Sequence, residues 1–293
     1  MAVGGRARHQ RHRRRDAPGG DRRLGRRPRA AADLAGGARD RAPARAPGAA
    51  SIAARALGGR DARGRRGARV DAGGGRGVSG DARPVVVFGG TFDPPHRRHV
   101  EVLRGVDALL KARQSIVVPA WRNPQRGEAG ASPADRLAMA TLAFAPIADA
   151  VVVPWETERG APCYSIDTVE DVLRRQRAGE VMQGPLRLVV GSDQALNFHT
   201  WREWERLAEL ATPAVVLRPP HARETWPDAV RAAVPAPWAE RWIAWTLPID
   251  PVDVSGTEIR RRLAAGEPVG GLLPAEVESY VRRAGLYGTA AGR

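Results

Sequence analysis

From residue 85 onward, short apolar runs alternate with longer amphipathic stretches. The runs at 85–88, 115–119 (Ser-Ile-Val-Val-Pro), 150–154 (Ala-Val-Val-Val-Pro), 186–191 (Leu-Arg-Leu-Val-Val-Gly), 213–218 (Pro-Ala-Val-Val-Leu-Arg) and 241–246 (Arg-Trp-Ile-Ala-Trp-Thr) predict strands. Helical patterns fall near 97–112, 133–145, 166–178, 202–210, 257–265 and 274–284. Strands and helices that alternate in this way return by right-handed crossovers. They build a Rossmann-like α/β fold, a doubly wound and mainly parallel sheet with helices on both faces. Ligands of such sheets bind at the carboxyl edge.

Composition divides the chain near residue 83. Residues 1–83 hold 22 Arg and 7 Asp, no Lys and no aromatic residue, and so carry the whole net charge of +15. Residues 84–293 hold 25 basic and 25 acidic residues and balance to zero. The first segment, rich in Arg, Ala, Gly and Pro, lacks the apolar area to offset chain entropy and is predicted to be disordered. Its charge allows nonspecific nucleic-acid contact through phosphate neutralisation, without stacking aromatics to add specificity. Arg13-Arg14-Arg15 suggests a twin-arginine signal, but no apolar signal core follows. The favoured expectation is a segment without function, with the natural start near Val78 or Val85. Residues 84–293 are expected to form one domain. A single cysteine, Cys163, fits a reducing compartment, and no apolar run approaches membrane-spanning length, so a cytoplasmic protein is expected. The sequence leaves monomer and homo-oligomer equally open.

The densest chemistry lies in Val85-Val86-Val87-Phe88-Gly89-Gly90-Thr91-Phe92-Asp93-Pro94-Pro95-His96-Arg97-Arg98-His99. An apolar strand leads into Gly89 and Gly90, which permit a tight turn and close ligand approach. Asp93, Pro94 and Pro95 read as a helix start, a favourable place for an anion. His96 and His99, three apart, then share the face of its first turn. Neither a P-loop nor a dinucleotide fingerprint is present. The unbroken string resembles the G-G-T-F-D-P-x-H-x-G-H signature of the nucleotidylyltransferase superfamily. That resemblance implies an ATP site at Gly89, Gly90, Thr91, Phe92, His96 and His99, the two histidines donating to α- and β-phosphate oxygens. Arg98 stands where the signature has glycine.

Asp253-Val254-Ser255-Gly256-Thr257-Glu258-Ile259-Arg260 reads by itself as a capped helix start. It also resembles the superfamily's I-S-S-T-x-x-R motif, with Val254 for Ile and Gly256 for the second Ser. The resemblance implies that Ser255, Thr257 and Arg260 contact triphosphate oxygens, Arg260 and Thr257 holding the departing pyrophosphate.

The segments between are similar to those of bacterial nicotinate-nucleotide adenylyltransferases. Pro162-Cys163-Tyr164-Ser165-Ile166-Asp167-Thr168 resembles P-S-Y-T-I-D-T, and Gly191-Ser192-Asp193-Gln194-Ala195-Leu196 resembles G-A-D-x-x-L. Trp201-Arg202-Glu203-Trp204 resembles T-W-x-x-W, and Leu272 to Tyr287 the closing helix. The likeness runs from about 85 to 288. It implies a mononucleotide site in which Tyr164 and Ser165 hold a pyridine carboxylate through backbone amides, Trp201 faces the pyridinium ring and Asp193 accepts from ribose. Arg126, in Asn123-Pro124-Gln125-Arg126, keeps the cation of a P-P-H-K/R loop. Apart from the likeness, Tyr164, Ser165 and Asp193 read as cap or turn residues and Trp201 with Trp204 as core anchors.

No nucleophile stands beside a base and no zinc spacing occurs, which points to direct in-line transfer. The partners implied by the resemblance are ATP and nicotinate mononucleotide, with Mg²⁺ bound through substrate phosphates. The products are nicotinate adenine dinucleotide and pyrophosphate, in NAD biosynthesis. The alternatives are an adenylyltransferase acting on nicotinamide mononucleotide or phosphopantetheine, and a noncatalytic nucleotide- or RNA-binding protein.

Overall fold

A computed structural model describes residues 83–122, 129–250 and 254–289. The basic segment 1–82, residues 123–128 with Arg126, residues 251–253 and residues 290–293 lie outside the described residues. Five strands, β1 (Val85–Gly90), β2 (Gln114–Pro119), β3 (Ala150–Val152), β4 (Leu186–Gly191) and β5 (Ala211–Val216), form one sheet in the order β3-β2-β1-β4-β5. Every pairing is parallel. The order reverses beside β1, where a doubly wound sheet opens its ligand crevice.

Ten helices thread these strands among the described residues: α1 (Arg97–Leu110), α2 (Pro133–Phe144), α3 (Trp155–Arg159), α4 (Ser165–Arg177), α5 (Ser192–Ala195), α6 (Trp204–Leu210), α7 (Trp226–Ala233), α8 (Ala236–Ala244), α9 (Gly256–Ala264) and α10 (Ala275–Arg283). Their limits follow from local chemistry. α1 ends at Lys111, which is left-handed with φ 49°. α2 begins with Ser132, whose hydroxyl accepts from the Asp135 amide at 3.1 Å, and Pro133 occupies the first turn, where its missing N–H costs nothing.

Side-chain alternation along β1 builds two cores. Val85 and Val87 join Ile166, Val169, Leu207 and Trp242 on one face of the sheet. Val86 and Phe88 join Leu103, Met139, Ile259 and Val277 on the other. A sheet buried on both faces explains runs such as Val85-Val86-Val87-Phe88, which do not alternate with polar residues.

One predicted strand is overturned. Residues 241–246 lie in and just after α8, and only an isolated bridge from Thr246 to Val215 remains of the expected pairing. The aromatic and β-branched composition looks strand-like, but Trp238, Trp242 and Trp245 recur at helical spacing, and Trp242 is 1 % exposed in the core. Among the described residues no helix is long and apolar enough to cross a membrane.

Candidate active site

A cleft of about 790 Å³ opens at the carboxyl edge of the sheet. Both terminal motifs line it: Gly89, Gly90, Thr91, Phe92, His96 and His99 from the β1–α1 connection, and Ser255, Thr257 and Arg260 from the start of α9. Tyr164, Ser165, Asp193 and Trp201 line the same cleft. Every predicted site residue within the described chain is therefore gathered into one space; Arg126 lies outside the described residues.

His96 is the N-cap of α1 and His99 its third helical residue. The His96 amide donates to His99 Nδ1 at 3.2 Å, and the two rings stack with centroids 3.8 Å apart. An accepting Nδ1 requires the proton of a neutral His99 to sit on Nε2. The His99 ring also packs edge-on against Phe92 at 5.1 Å. His96 is 4 % exposed, and its Nδ1 finds no hydrogen-bond partner among the described residues. Burial first, then the charges of Arg218 and Arg98, push its pKa down to about 3, so the imidazole is a neutral group at physiological pH.

The expected glycine turn is not what Gly89 and Gly90 form. Both belong to β1, and neither has a positive φ; the left-handed residue is Phe92, with φ 50° and 1 % exposure. What the glycines supply is room. A Cβ on Gly90 would lie 2.9 Å from the buried Phe92 ring, whereas one on Gly89 would meet nothing within 4 Å. The backbone at Gly89 is thus bare toward the cleft.

Asp93 joins the β1–α1 connection to α9 and to Tyr287. Its carboxylate accepts from the amides of Gly130 at 2.7 Å and Ala131 at 3.0 Å and from the Tyr287 hydroxyl at 2.8 Å. Arg260 donates through Nη1 to the Asp93 carbonyl at 2.7 Å and stands 3.6 Å from its carboxylate. A second guanidinium bond from Arg260 reaches Thr257 Oγ1 at 3.4 Å. Ser255 caps α9 by accepting from the Glu258 amide at 3.2 Å. Beneath this clasp the buried Arg136 donates to the carbonyls of Thr91 at 2.8 Å, Ala120 at 2.5 Å and Trp121 at 2.7 Å.

At the other end of the cleft, Tyr164 caps α4, but its amide donates to Asp167 Oδ2 at 3.1 Å. An anion seated at this helix start would compete with the capping carboxylate for the Tyr164 amide. Ser165, at the first helical position, retains an amide with no intrahelical acceptor. Trp201 is half-buried and stacks on Phe198 at 4.7 Å while facing the cleft, which makes it core anchor and wall at once. Asp193, on α5, stands 3.4 Å from Arg218. Trp204 packs on Trp238 at 4.9 Å.

Arg218 and Glu156 escaped the sequence reading, and Arg98 was legible there only as a departure from the signature. Arg98, in the glycine position of the signature, is 4 % exposed and donates to the Leu217 carbonyl at 2.7 Å. It turns inward to the end of β5 instead of reaching outward. Arg218, just beyond that carbonyl, is anchored by Ser192, which accepts from the Arg218 amide at 3.0 Å and contacts His221 Nδ1 at 2.9 Å. Glu156 lines the cleft near Tyr164, accepts from Thr168 Oγ1 at 2.5 Å, and is raised to about 6 chiefly by burial. An Arg in a predicted strand tail or a Glu in an unpredicted five-residue helix gives no sequence signal for these positions.

Comparison with known proteins agrees with this geometry. Residues 87–262 match the cytidylyltransferase-like family. A Bordetella petrii protein named "Probable nicotinate-nucleotide adenylyltransferase" is 36% identical over 209 residues, covering 69% of this chain and 98% of that one. A Chromobacterium violaceum protein of the same name is 35% identical over 211 residues, covering 69% and 98%. Among solved structures, the Plasmodium falciparum nicotinic acid mononucleotide adenylyltransferase complexed with NaAD shares the fold, with a TM-score of 0.52 and 14% identity over 70% of this chain and 97% of that one. With about a third of the aligned residues identical over nearly the full length of such relatives, the chain belongs to the nicotinate-nucleotide adenylyltransferase family.

Proposed function

We propose that the chain transfers the adenylyl group of ATP to nicotinate mononucleotide, releasing pyrophosphate and nicotinate adenine dinucleotide. The observation that carries this reading is the meeting of the His96–His99 pair and the Ser255–Thr257–Arg260 cluster in one cleft, with Arg260 bonded to Asp93 across 167 positions of sequence. A phosphate oxygen of the mononucleotide attacks the α-phosphorus, the bond to the β-phosphate oxygen breaks, and pyrophosphate departs with both electrons of that bond. Neutral His96 and His99 donate hydrogen bonds to oxygens on which negative charge builds, a role that needs no proton exchange. Arg260, fixed by Asp93 and Thr257, balances charge on the leaving pyrophosphate. The chain thus acts by position and electrostatics.

Mg²⁺ is part of the proposal. Among the described residues no group of three His, Cys, Asp or Glu is arranged to hold a metal ion, and the Asp93 carboxylate is already engaged by two amides and a hydroxyl. The fitting arrangement is a cation carried on the triphosphate's own oxygens, where it would neutralise phosphate charge. The cytoplasm is the compartment we propose, from the single cysteine and the consumption of ATP. Incubation of the full chain with ATP, Mg²⁺ and each candidate acceptor tests the reading: pyrophosphate should appear with nicotinate mononucleotide. Release with phosphopantetheine alone, or with no acceptor, would refute it.

A further inference from the structure

Two guanidiniums line the cleft at the end of β5. Arg98, in the first turn of α1, is buried and donates through Nη2 to the Leu217 carbonyl at 2.7 Å. Arg218, the next residue after that carbonyl, is only half-buried, and its Nη1 stands 3.4 Å from each carboxylate oxygen of Asp193. Its backbone is held by the buried Ser192 hydroxyl, which accepts from the Arg218 amide at 3.0 Å. A Cβ on Gly191 would lie 2.7 Å from Asp193 Oδ1 and 3.0 Å from Arg218 Cδ, so the glycine leaves the space that this ion pair fills. Burial first, then the charges of Arg218 and Arg98, act on the His96 ring, so the positive field of the two cations reaches that histidine.

The proposed reaction presses two anions together, the phosphate of the mononucleotide and the α-phosphate of ATP. Their repulsion opposes the transfer, and Arg260 with Thr257 is already assigned to the departing pyrophosphate. Asp193, the residue expected to hold the mononucleotide's ribose, faces Arg218. A ribose there brings its phosphate within reach of the Arg218 fork, whose geometry matches phosphate oxygens. A guanidinium in the low-dielectric floor beneath adds an attraction that water does not screen. We propose that Arg98 and Arg218 form a cation pair for the attacking phosphate, Arg218 donating to it and Arg98 acting on it from beneath. Arg98 is then a positioning residue, with a charge that the signature's glycine cannot supply. This inference rests on the proposed function and names the groups that steer its acceptor.

The test measures KM for nicotinate mononucleotide and for ATP, with Mg²⁺, in the full-length wild type, Arg98→Met, Arg98→Lys and Arg218→Met. Each Met variant should raise KM for the mononucleotide about tenfold, the scale of one charge-assisted contact, and leave KM for ATP within about twofold. Arg98→Lys keeps the charge and should stay close to wild type. If Arg98→Met does not fold, Arg218→Met decides, because its side chain is half-buried and its backbone anchor at Ser192 is untouched. An equal rise in both KM values, a fall in kcat alone or an unchanged KM for the mononucleotide would overturn the inference. So would an Arg98→Lys as impaired as Arg98→Met, which would assign Arg98 to the Leu217 contact. A wild type that releases no pyrophosphate with nicotinate mononucleotide defeats the proposed function and this inference together. An active wild type with unresponsive variants defeats the inference alone.

Discussion

His96 shows how one residue's surroundings define its chemistry. Deep burial, then two cations, hold the ring neutral, with its pKa pushed down to about 3, so it offers a phosphate oxygen a single ring N–H and carries no charge of its own. Its Nδ1 has no hydrogen-bond partner among the described residues, so little of the fold hangs on the ring's polar contacts. His96→Ala should therefore lower kcat by roughly 10²–10³, as for loss of one transition-state donor, with little change in thermal midpoint. Pyrophosphate release and a melting curve on the same preparation decide the point; a collapse of the fold with unaltered turnover per folded molecule would assign His96 to structure. Glu156 runs the other way. Raised from 4.5 to about 6, it holds in the folded chain a proton that the unfolded chain has lost between those values. Its contribution to stability is present below pH 4.5 and lost as pH rises through 6, where the folded state must keep a buried carboxylate. Glu156→Gln can still accept from Thr168, so it should add about 1–2 kcal/mol of stability at pH 8, less than half of that at pH 5, and almost none at pH 4. A larger gain at the acidic pH would contradict this.

Elements with a clean period were legible before the structure. β1, β2, β4 and the helices α1, α2, α4, α9 and α10 sit within a few residues of their predicted ranges, because buried parallel strands and one-sided helices leave strong apolar patterns. Three details were missed, and only one of them because its partner is distant in sequence. The glycine pair looked like a turn, yet only the buried Phe92 ring explains why residue 90 has no Cβ. Arg98 was legible only as a departure from the signature's glycine, and the Leu217 carbonyl that takes it inward lies 119 positions away. Residues 241–246 looked like a strand because Trp and Ile favour both sheets and cores; the Trp238–Trp242–Trp245 spacing was the overlooked helical signal. That helix is anchored by Trp242, which packs against Phe198 at 4.8 Å and Trp245 at 5.4 Å. Trp242→Ala should cost about 3–5 kcal/mol in denaturant unfolding, the range for emptying a large aromatic site in a core. A loss below about 1 kcal/mol would show that the aromatic cluster collapses into the gap.

The molecule as a whole depends on a junction between positions far apart in the chain. Order and identity of the two phosphate motifs were readable in sequence, but their meeting is built by Asp93, which sequence reasoning passed over as part of a helix start. Asp93 receives Gly130 and Ala131 from the β2–α2 connection and Tyr287 from the end of the chain, while Arg260 grips its carbonyl. Burial and the adjacent carboxylate both drive the Tyr287 hydroxyl far above its usual pKa, so it remains a proton donor to Asp93 at any working pH. Tyr287→Phe deletes that donor and little volume. It should cost about 1–3 kcal/mol of stability, the penalty for a buried acceptor deprived of a partner. Asp93→Asn should cost more, about 3–5 kcal/mol, since Arg260 and the buried Arg136 lose the carboxylate between them. The two variants also separate position from charge. Tyr287→Phe leaves Arg260 on the Asp93 carbonyl and should keep KM for ATP near wild type in the folded fraction, whereas Asp93→Asn frees the guanidinium's charge and reorganises the loop beneath it, so KM for ATP and kcat should both worsen. If Tyr287→Phe impaired ATP kinetics as severely as Asp93→Asn, the C-terminal hydroxyl would have to act on the triphosphate side of the junction, and the division of labour between clasp and cation would be wrong.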